Sequence, residues 1–268
     1  MKNHRRQQRV NLKFRFKALF SYTLRARHKR GFGIHSPYVF AFVNDVIFEN
    51  NAFYAYSDIE DLRQNLLHDK TTIAISPIGT STKTSTTIAH EAATSSKPRK
   101  YAQLLLRLAV HNESKTIIEL GTNLGLSTLY LSSVNSDTQV YTIEGQKNIA
   151  QIAEHNFKAL HRHNIHLIID NIDTALPSLI NSLETIDLLY IDANHRYNPT
   201  IQYYSTAKTK IRRGTIFVID DPHWSPEMQQ AWEHIKTDPE ATITLDLFGM
   251  GIVIFNDEIP KQHYTIKF

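Results

Sequence analysis

Four short stretches hold residues whose types and spacing suit chemistry. Glu119-Leu120-Gly121-Thr122-Asn123-Leu124-Gly125 has the pattern E-x-G-x-x-x-G. Its glycines let the backbone turn tightly and approach a ligand with no Cβ in the way. The helix expected next, through Ser127, Leu129 and Leu131, opens with free N–H groups. A carboxylate beside such a loop suits a cationic or hydroxyl-bearing ligand rather than a pyrophosphate, and the spacing is not the G-x-G-x-x-G dinucleotide fingerprint. Glu144 stands 25 residues after Glu119, and an acid about 20 residues past a glycine loop can accept hydrogen bonds from both hydroxyls of a ribose. Alone, the loop reads as a plain turn. With the acid and a strand–helix context, it points to a nucleoside ligand.

The other stretches extend this reading. In Asp170-Asn171-Ile172-Asp173, Asn171 could bond the amino edge of an adenine while Ile172 packs on its face; Asn171 or Asp173 could equally cap the next helix, and both can hold. Asp192-Ala193-Asn194-His195 offers a histidine able to act as a base near neutral pH; among 14 histidines, it could also simply pack or cap a helix. Asp192 with Asp220 and Asp221 could hold Mg²⁺ or Ca²⁺ through oxygen, or the last two could cap a turn or orient His195. Gly79-Thr80-Ser81-Thr82-Lys83-Thr84 looks like a phosphate loop but lacks the glycine before lysine, so it is read as Ser/Thr-rich loop.

Strands and helices must position these residues. From residue 115, β-branched runs at Thr116–Leu120, Gln139–Ile143, Ile165–Ile169, Ile186–Ile191 and Thr215–Ile219 alternate with helical stretches. Continuous apolar runs between helices imply strands buried on both faces, hence a parallel sheet whose ligands bind beyond its carboxyl ends. Thr242–Leu247 and Gly251–Phe255 are close enough for an antiparallel pair, and 263–268 for an edge strand. Upstream, a turn over 31–37 leads into a helix from Ser36 or Pro37. Further helices are expected over 58–68 and 99–110, and the 13 Ser/Thr of 71–98 favour a loop. The segments are a basic arm (1–30), a helical cap with that loop (31–110) and a ligand-binding α/β domain (111–268).

Composition removes other chemistries. With no cysteine, disulfides, thiolate metal sites and cysteine nucleophiles are excluded. No stretch approaches the roughly 18 apolar residues of a membrane span. Lys13, Arg15 and Lys17 interrupt any signal-peptide core, so a cytoplasmic protein is expected. Residues 1–30 contain 11 Lys/Arg and no acid; the remainder has 19 basic and 26 acidic residues. Such an arm could bind RNA or an anionic membrane, lie as a charged helix on its own acidic body, or be a partly disordered tail.

These residues resemble a known family. Ile117 through Thr128 resembles the first motif of class I S-adenosylmethionine-dependent methyltransferases in their O-methyltransferase-like form, and Val140-Tyr141-Thr142-Ile143-Glu144 the second. Asp187 through Tyr197 resembles a bacterial subgroup with Asp-x-x-His after the fourth strand, and Gly214 through Asp221 resembles the fifth strand. The resemblance spans about 100–255. It implies a Rossmann-like α/β fold: a seven-stranded, mostly parallel sheet with an antiparallel last strand, plus the N-terminal helical cap. It also implies bound S-adenosyl-L-methionine. Glu119 and the loop (Gly121, Thr122, Asn123, Gly125, Ser127) would face its methionine part, Glu144 the ribose, Asn171 and Ile172 the adenine, and Asp192 the methyl donor. Metal-dependent catechol-type relatives carry Asp after the fourth strand and Asp-Asn after the fifth. Asp192 and Asp220 fit, with Asp221 in place of Asn, which raises a divalent cation as a further cofactor.

The expected reaction is O-methylation of a small-molecule acceptor, with His195 as base, Asp192 in support, and His35, Tyr38 and the 71–98 loop covering the acceptor. The alternatives are a nucleic-acid methyltransferase that uses residues 1–30, or a non-catalytic nucleoside-binding module.

Overall fold

The computed structural model describes residues 2–76 and 84–268, with side chains from Lys13 onward. Helices α1 (Lys2–Arg25), α2 (Pro37–Phe42) and α3 (Ala55–His68) come first, then the short strands β1 (Thr72–Ala74) and β2 (Ser85–Thr87) and helices α4 (Ile88–Thr94) and α5 (Arg99–His111). A regular alternation follows: β3 (Thr116–Leu120), α6 (Leu126–Leu131), β4 (Gln139–Glu144), α7 (Lys147–Ala159), β5 (Ile165–Ile169), α8 (Ile172–Ser182), β6 (Ile186–Ile191), α9 (Tyr197–Lys208), β7 (Ile211–Asp220) and α10 (Pro226–Thr237). Last come β8 (Ile243–Asp246), β9 (Met250–Ile254) and β10 (Gln262–Thr265).

The larger sheet has the strand order β10-β8-β9-β7-β6-β3-β4-β5. β3, β4 and β5 run parallel, with Thr116 opposite Gln139 and Val140 opposite Ile165. β9 is antiparallel to both β7 and β8, and β10 is parallel to β8. The seven expected strands, one of them antiparallel, are therefore present, and β10 is the edge strand anticipated at 263–268. Among the described residues no helix is long and apolar enough to cross a membrane.

Contacts group the chain into two compact units, residues 50–189 and residues 1–49 with 190–268. In the first, Ile117, Ile118, Leu120, Val140 and Ile143 are fully buried, as strands covered on both faces require. Leu129 and Tyr130 of α6 and Ala153 and Phe157 of α7 share one core with Ile59 of α3 and Leu106 of α5. Asp187 fixes the start of β3: one carboxylate oxygen accepts the backbone N–H of Lys115 at 2.7 Å and of Thr116 at 2.9 Å. The Ser/Thr-rich stretch 71–98 is not simply loop. β1 and β2 pair antiparallel, Ile73 opposite Thr86, and Thr87 caps α4 by accepting the N–H of His90. Here β-branched residues form strands and a threonine hydroxyl starts a helix; composition cannot distinguish these uses from loop. Most of the phosphate-loop look-alike, 79–83, lies outside the described residues.

In the second unit Trp232 of α10, Phe217 of β7 and Ile252 of β9 are fully buried. Ser36 caps α2 by accepting the N–H of Val39, and Pro37 fills the first helical position, where its missing N–H costs nothing. The basic arm is the helix α1, seated on its own unit. Ala18 and Ala26 are buried, the Tyr22 ring lies 5.2 Å from that of Phe248, and the Tyr22 hydroxyl donates to the Ile266 carbonyl.

Candidate functional site

In the unit of residues 50–189, the glycine loop and Glu144 meet. Gly121 (φ +100°) and Gly125 (φ +83°) take left-handed conformations that let the chain leave β3, turn and enter α6. A Cβ on Gly125 would fall on the Phe157 ring. Asn123, at the loop tip, donates its backbone N–H to Glu144 Oε2 at 2.9 Å, while the backbone N–H of Gln146 donates to Glu144 Oε1 at 2.8 Å. The acid at the end of β4 is thus held at the loop by main-chain donors. Burial raises its pKa and these hydrogen bonds oppose the rise.

Glu119 has a different position from the one expected of a ligand contact. It is fully buried, and its Oε2 accepts hydrogen bonds from Thr128 and, at 2.7 Å, from Thr142. Thr122 adds a 2.6 Å contact to Thr142, so the carboxylate ties β3, β4 and α6 together beneath the loop. Its Oε1 has no hydrogen-bond partner. Burial pushes its pKa up to about 7, against the pull of the Ser127, Thr128 and Thr142 hydroxyls. A glycine loop that holds the strand-end acid Glu144 by main-chain donors fits a diol-bearing nucleoside such as S-adenosylmethionine. Asn171 is exposed and caps α8 by accepting the N–H of Asp173 at 2.9 Å, which fulfils the cap reading. Ile172 begins α8, half-buried.

In the other unit, Asp192, His195 and Asp220 converge. His195 Nε2 lies 3.7 Å from Asp192 Oδ1 and 3.5 Å from Asp220 Oδ2. One candidate ligand atom from each of these three residues lies within 4.8 Å of the others, close enough to hold a metal ion. Asp221 is outside this group, although its charge acts on His195. Burial lowers the His195 pKa, but the hydrogen bond to Asp220 and the charges of Asp192, Asp220 and Asp221 outweigh it, leaving the pKa above its ordinary value. The Trp224 ring is 6.2 Å from that of His195 and 40% exposed, with the Arg15 guanidinium 4.2 Å over its centre.

Sequence reasoning missed several residues here. Tyr190, fully buried in β6, places its hydroxyl 2.9 Å from Asp192 Oδ2 and 3.1 Å from Asp220 Oδ1; within an apolar run it reads as core. Glu91 of α4 reaches the Asn123 side chain at 3.5 Å and its charge raises the Glu144 pKa. The Thr87 cap before an Ala-rich run was its only signal. The Gln146 side chain pairs with the backbone of Ser76 at 2.8 and 2.6 Å, so this part of 71–98 lies beside Glu144. His35 is exposed and the Tyr38 ring stacks on Phe42 at 6.4 Å.

The backbone is strained at the site. Among the described residues eight non-glycine residues have positive φ: Asn123 is one of them in the glycine loop, and Asn194, His195 and Asp221 are three beside the histidine cluster of the other unit.

Residues 118–222 match the family described as methyltransferase domain. No curated protein matches. Solved structures with the same fold include three that carry the donor or its demethylated product. The O-methyltransferase TomG from Streptomyces achromogenes, in complex with SAM, is 16% identical with a TM-score of 0.56, over 77% of this chain and 91% of that one. An O-methyltransferase from Bacillus cereus in complex with SAH is 19% identical with a TM-score of 0.54, over 81% and 97%. The SAH-bound Podospora anserina methyltransferase PaMTH1 is 16% identical with a TM-score of 0.58, over 82% and 94%. At these identities the likeness establishes the fold.

Proposed function

We propose, from the premise that residues 118–222 are a methyltransferase domain, that this chain transfers a methyl group from S-adenosylmethionine to a hydroxyl of a small molecule in the cytoplasm. The observation that carries the reading is the Asn123 N–H on the Glu144 carboxylate, which supports a cradle for a nucleoside. When bound, S-adenosylmethionine supplies a methyl group already activated on a sulfonium. The chain's task is then to bind, to align and to move one proton.

Glu144 is the acceptor for the ribose hydroxyls. Two backbone donors already fix its orientation, so little side-chain freedom is lost on binding. Glu119, buried beneath the loop, positions it by accepting hydrogen bonds from Thr128 and Thr142. Asn171 and Ile172 are assigned to the edge and face of the adenine.

His195 is the base for the acceptor hydroxyl. Its raised pKa makes it a better proton acceptor, and Asp192 and Asp220 stabilise the imidazolium that results. Tyr190 steers both carboxylates by hydrogen bonding. Trp224, itself stacked under Arg15, gives His195 an apolar neighbour on one side. Asp192 and Asp220 are also the residues that would hold a divalent cation; His195 is the third member of that cluster and as a ligand would not serve as base, while Asp221 would have to turn toward the pair to complete the set.

The test is calorimetry with S-adenosylmethionine, followed by transfer of labelled methyl into fractionated small metabolites and into RNA. Heat of binding with label in a small phenol or alcohol supports the reading. Label in RNA moves the acceptor to nucleic acid, binding without label leaves a nucleoside-binding module, and no heat ends the proposal.

A further inference from the structure

Ten large apolar side chains are exposed among the described residues, and five lie between residues 16 and 32: Phe16, Leu19, Phe20, Leu24 and Phe32. The first four have the spacing i, i+3, i+4, i+8 along α1 and therefore share one face. Ala18 and Tyr22, which pack on the unit, belong to the opposite face. Lys13 and Lys17 stand beside the apolar face and Arg27, Lys29 and Arg30 follow the end of the helix, all exposed, and no acidic residue precedes Asp45.

We propose that this face of α1 docks on an anionic lipid surface, with Phe16, Leu19, Phe20 and Leu24 in the boundary between headgroups and acyl chains and the lysines and arginines on lipid phosphates. Two arguments select this occupant. Leu19 and Leu24 gain nothing from RNA, which is held by phosphate contacts and aromatic stacking. A second copy would bring two strongly positive helices face to face, which like-charge repulsion disfavours. Phe32, 78% exposed in the turn after α1, extends the same apolar surface signal. The proposal is independent of the methyl-transfer reading, since no side chain of the Glu144 loop or the His195 cluster takes part.

The experiment is co-sedimentation of the full chain with phosphatidylcholine vesicles, with and without phosphatidylglycerol, alongside fluorescence anisotropy with single-stranded RNA and sedimentation equilibrium. Binding is expected only with phosphatidylglycerol and should weaken with added salt. Phe16→Ser with Phe20→Ser should reduce it about tenfold or more with the thermal midpoint unchanged, because both rings are already exposed. Lys13→Gln with Lys17→Gln should weaken binding to the anionic vesicles without abolishing it, because Arg27, Lys29 and Arg30 remain. The proposal is overturned if anionic vesicles are not bound, if the double phenylalanine variant binds as wild type, if RNA alone is bound, or if the face proves to hold a dimer that the double variant dissolves.

Discussion

Nε2 of His195 lies 3.5 Å from Oδ2 of Asp220. With Asp192 at 3.7 Å, this pairing sets the protonation state of the proposed base. Turnover that needs neutral His195 should rise with pH through a midpoint above the ordinary histidine value of about 6.5. Asp220→Asn removes one of the charges that hold the pKa up and leaves only a neutral hydrogen-bond acceptor, so the midpoint should move to lower pH. The stability sign is the reverse of the activity sign: the ion pairs stabilise the fold fully below the unfolded histidine pKa, and their contribution fades as pH rises through the folded one. A pH profile of kcat for both proteins checks this; an unmoved midpoint assigns the titration to another group.

Replacing His195 by Ala should lower kcat by about 10²–10⁴-fold. Cofactor affinity, measured by calorimetry, should be preserved, because Glu144 and the glycine loop are intact. Unchanged turnover would remove His195 from the chemistry.

Glu144→Ala should do the opposite. Losing charge-assisted hydrogen bonds to a ligand costs about 1.5–3 kcal/mol, or tenfold and more in Kd for S-adenosylmethionine. It also leaves the Asn123 and Gln146 N–H groups without their acceptor. Titration calorimetry reads the first effect, and equal affinity in the variant would contradict the assignment of the ribose.

Gly125→Ala tests the loop's geometry. The left-handed φ of +83° costs a residue with a Cβ about 1–2 kcal/mol, and the collision with Phe157 adds about 1–3 kcal/mol of overpacking. Chemical denaturation should show both. In a double-mutant cycle with Phe157→Leu, the pair should cost less than the sum of the singles, because the clash is shared.

Much of this was legible in the residues alone. The strands at 116–120 and 186–191 coincide with their apolar runs, because nearly every residue in them is buried; 165–169 coincides as well, although it is a half-exposed edge strand marked by its isoleucines rather than by burial on both faces. The loop and Glu144 were legible because a turn needing glycine and a strand-end acid follow from chain order. Tyr190 was not, since a core tyrosine and a tyrosine that bridges two aspartates look alike until the neighbouring strand is known. Glu91 and Gln146 depend on tertiary contacts between segments distant in sequence. Glu119 has the expected identity, yet its carboxylate is turned to Thr128 and Thr142, a matter of side-chain direction that spacing does not encode.

The left-handed backbone at Asn123, Asn194, His195 and Asp221 has a consequence for engineering. Each such residue holds roughly 1 kcal/mol that a glycine would release. A search for hardier variants should therefore converge on glycine at these four positions first, and at His195, the proposed base, the gain in heat tolerance should come with a loss of turnover.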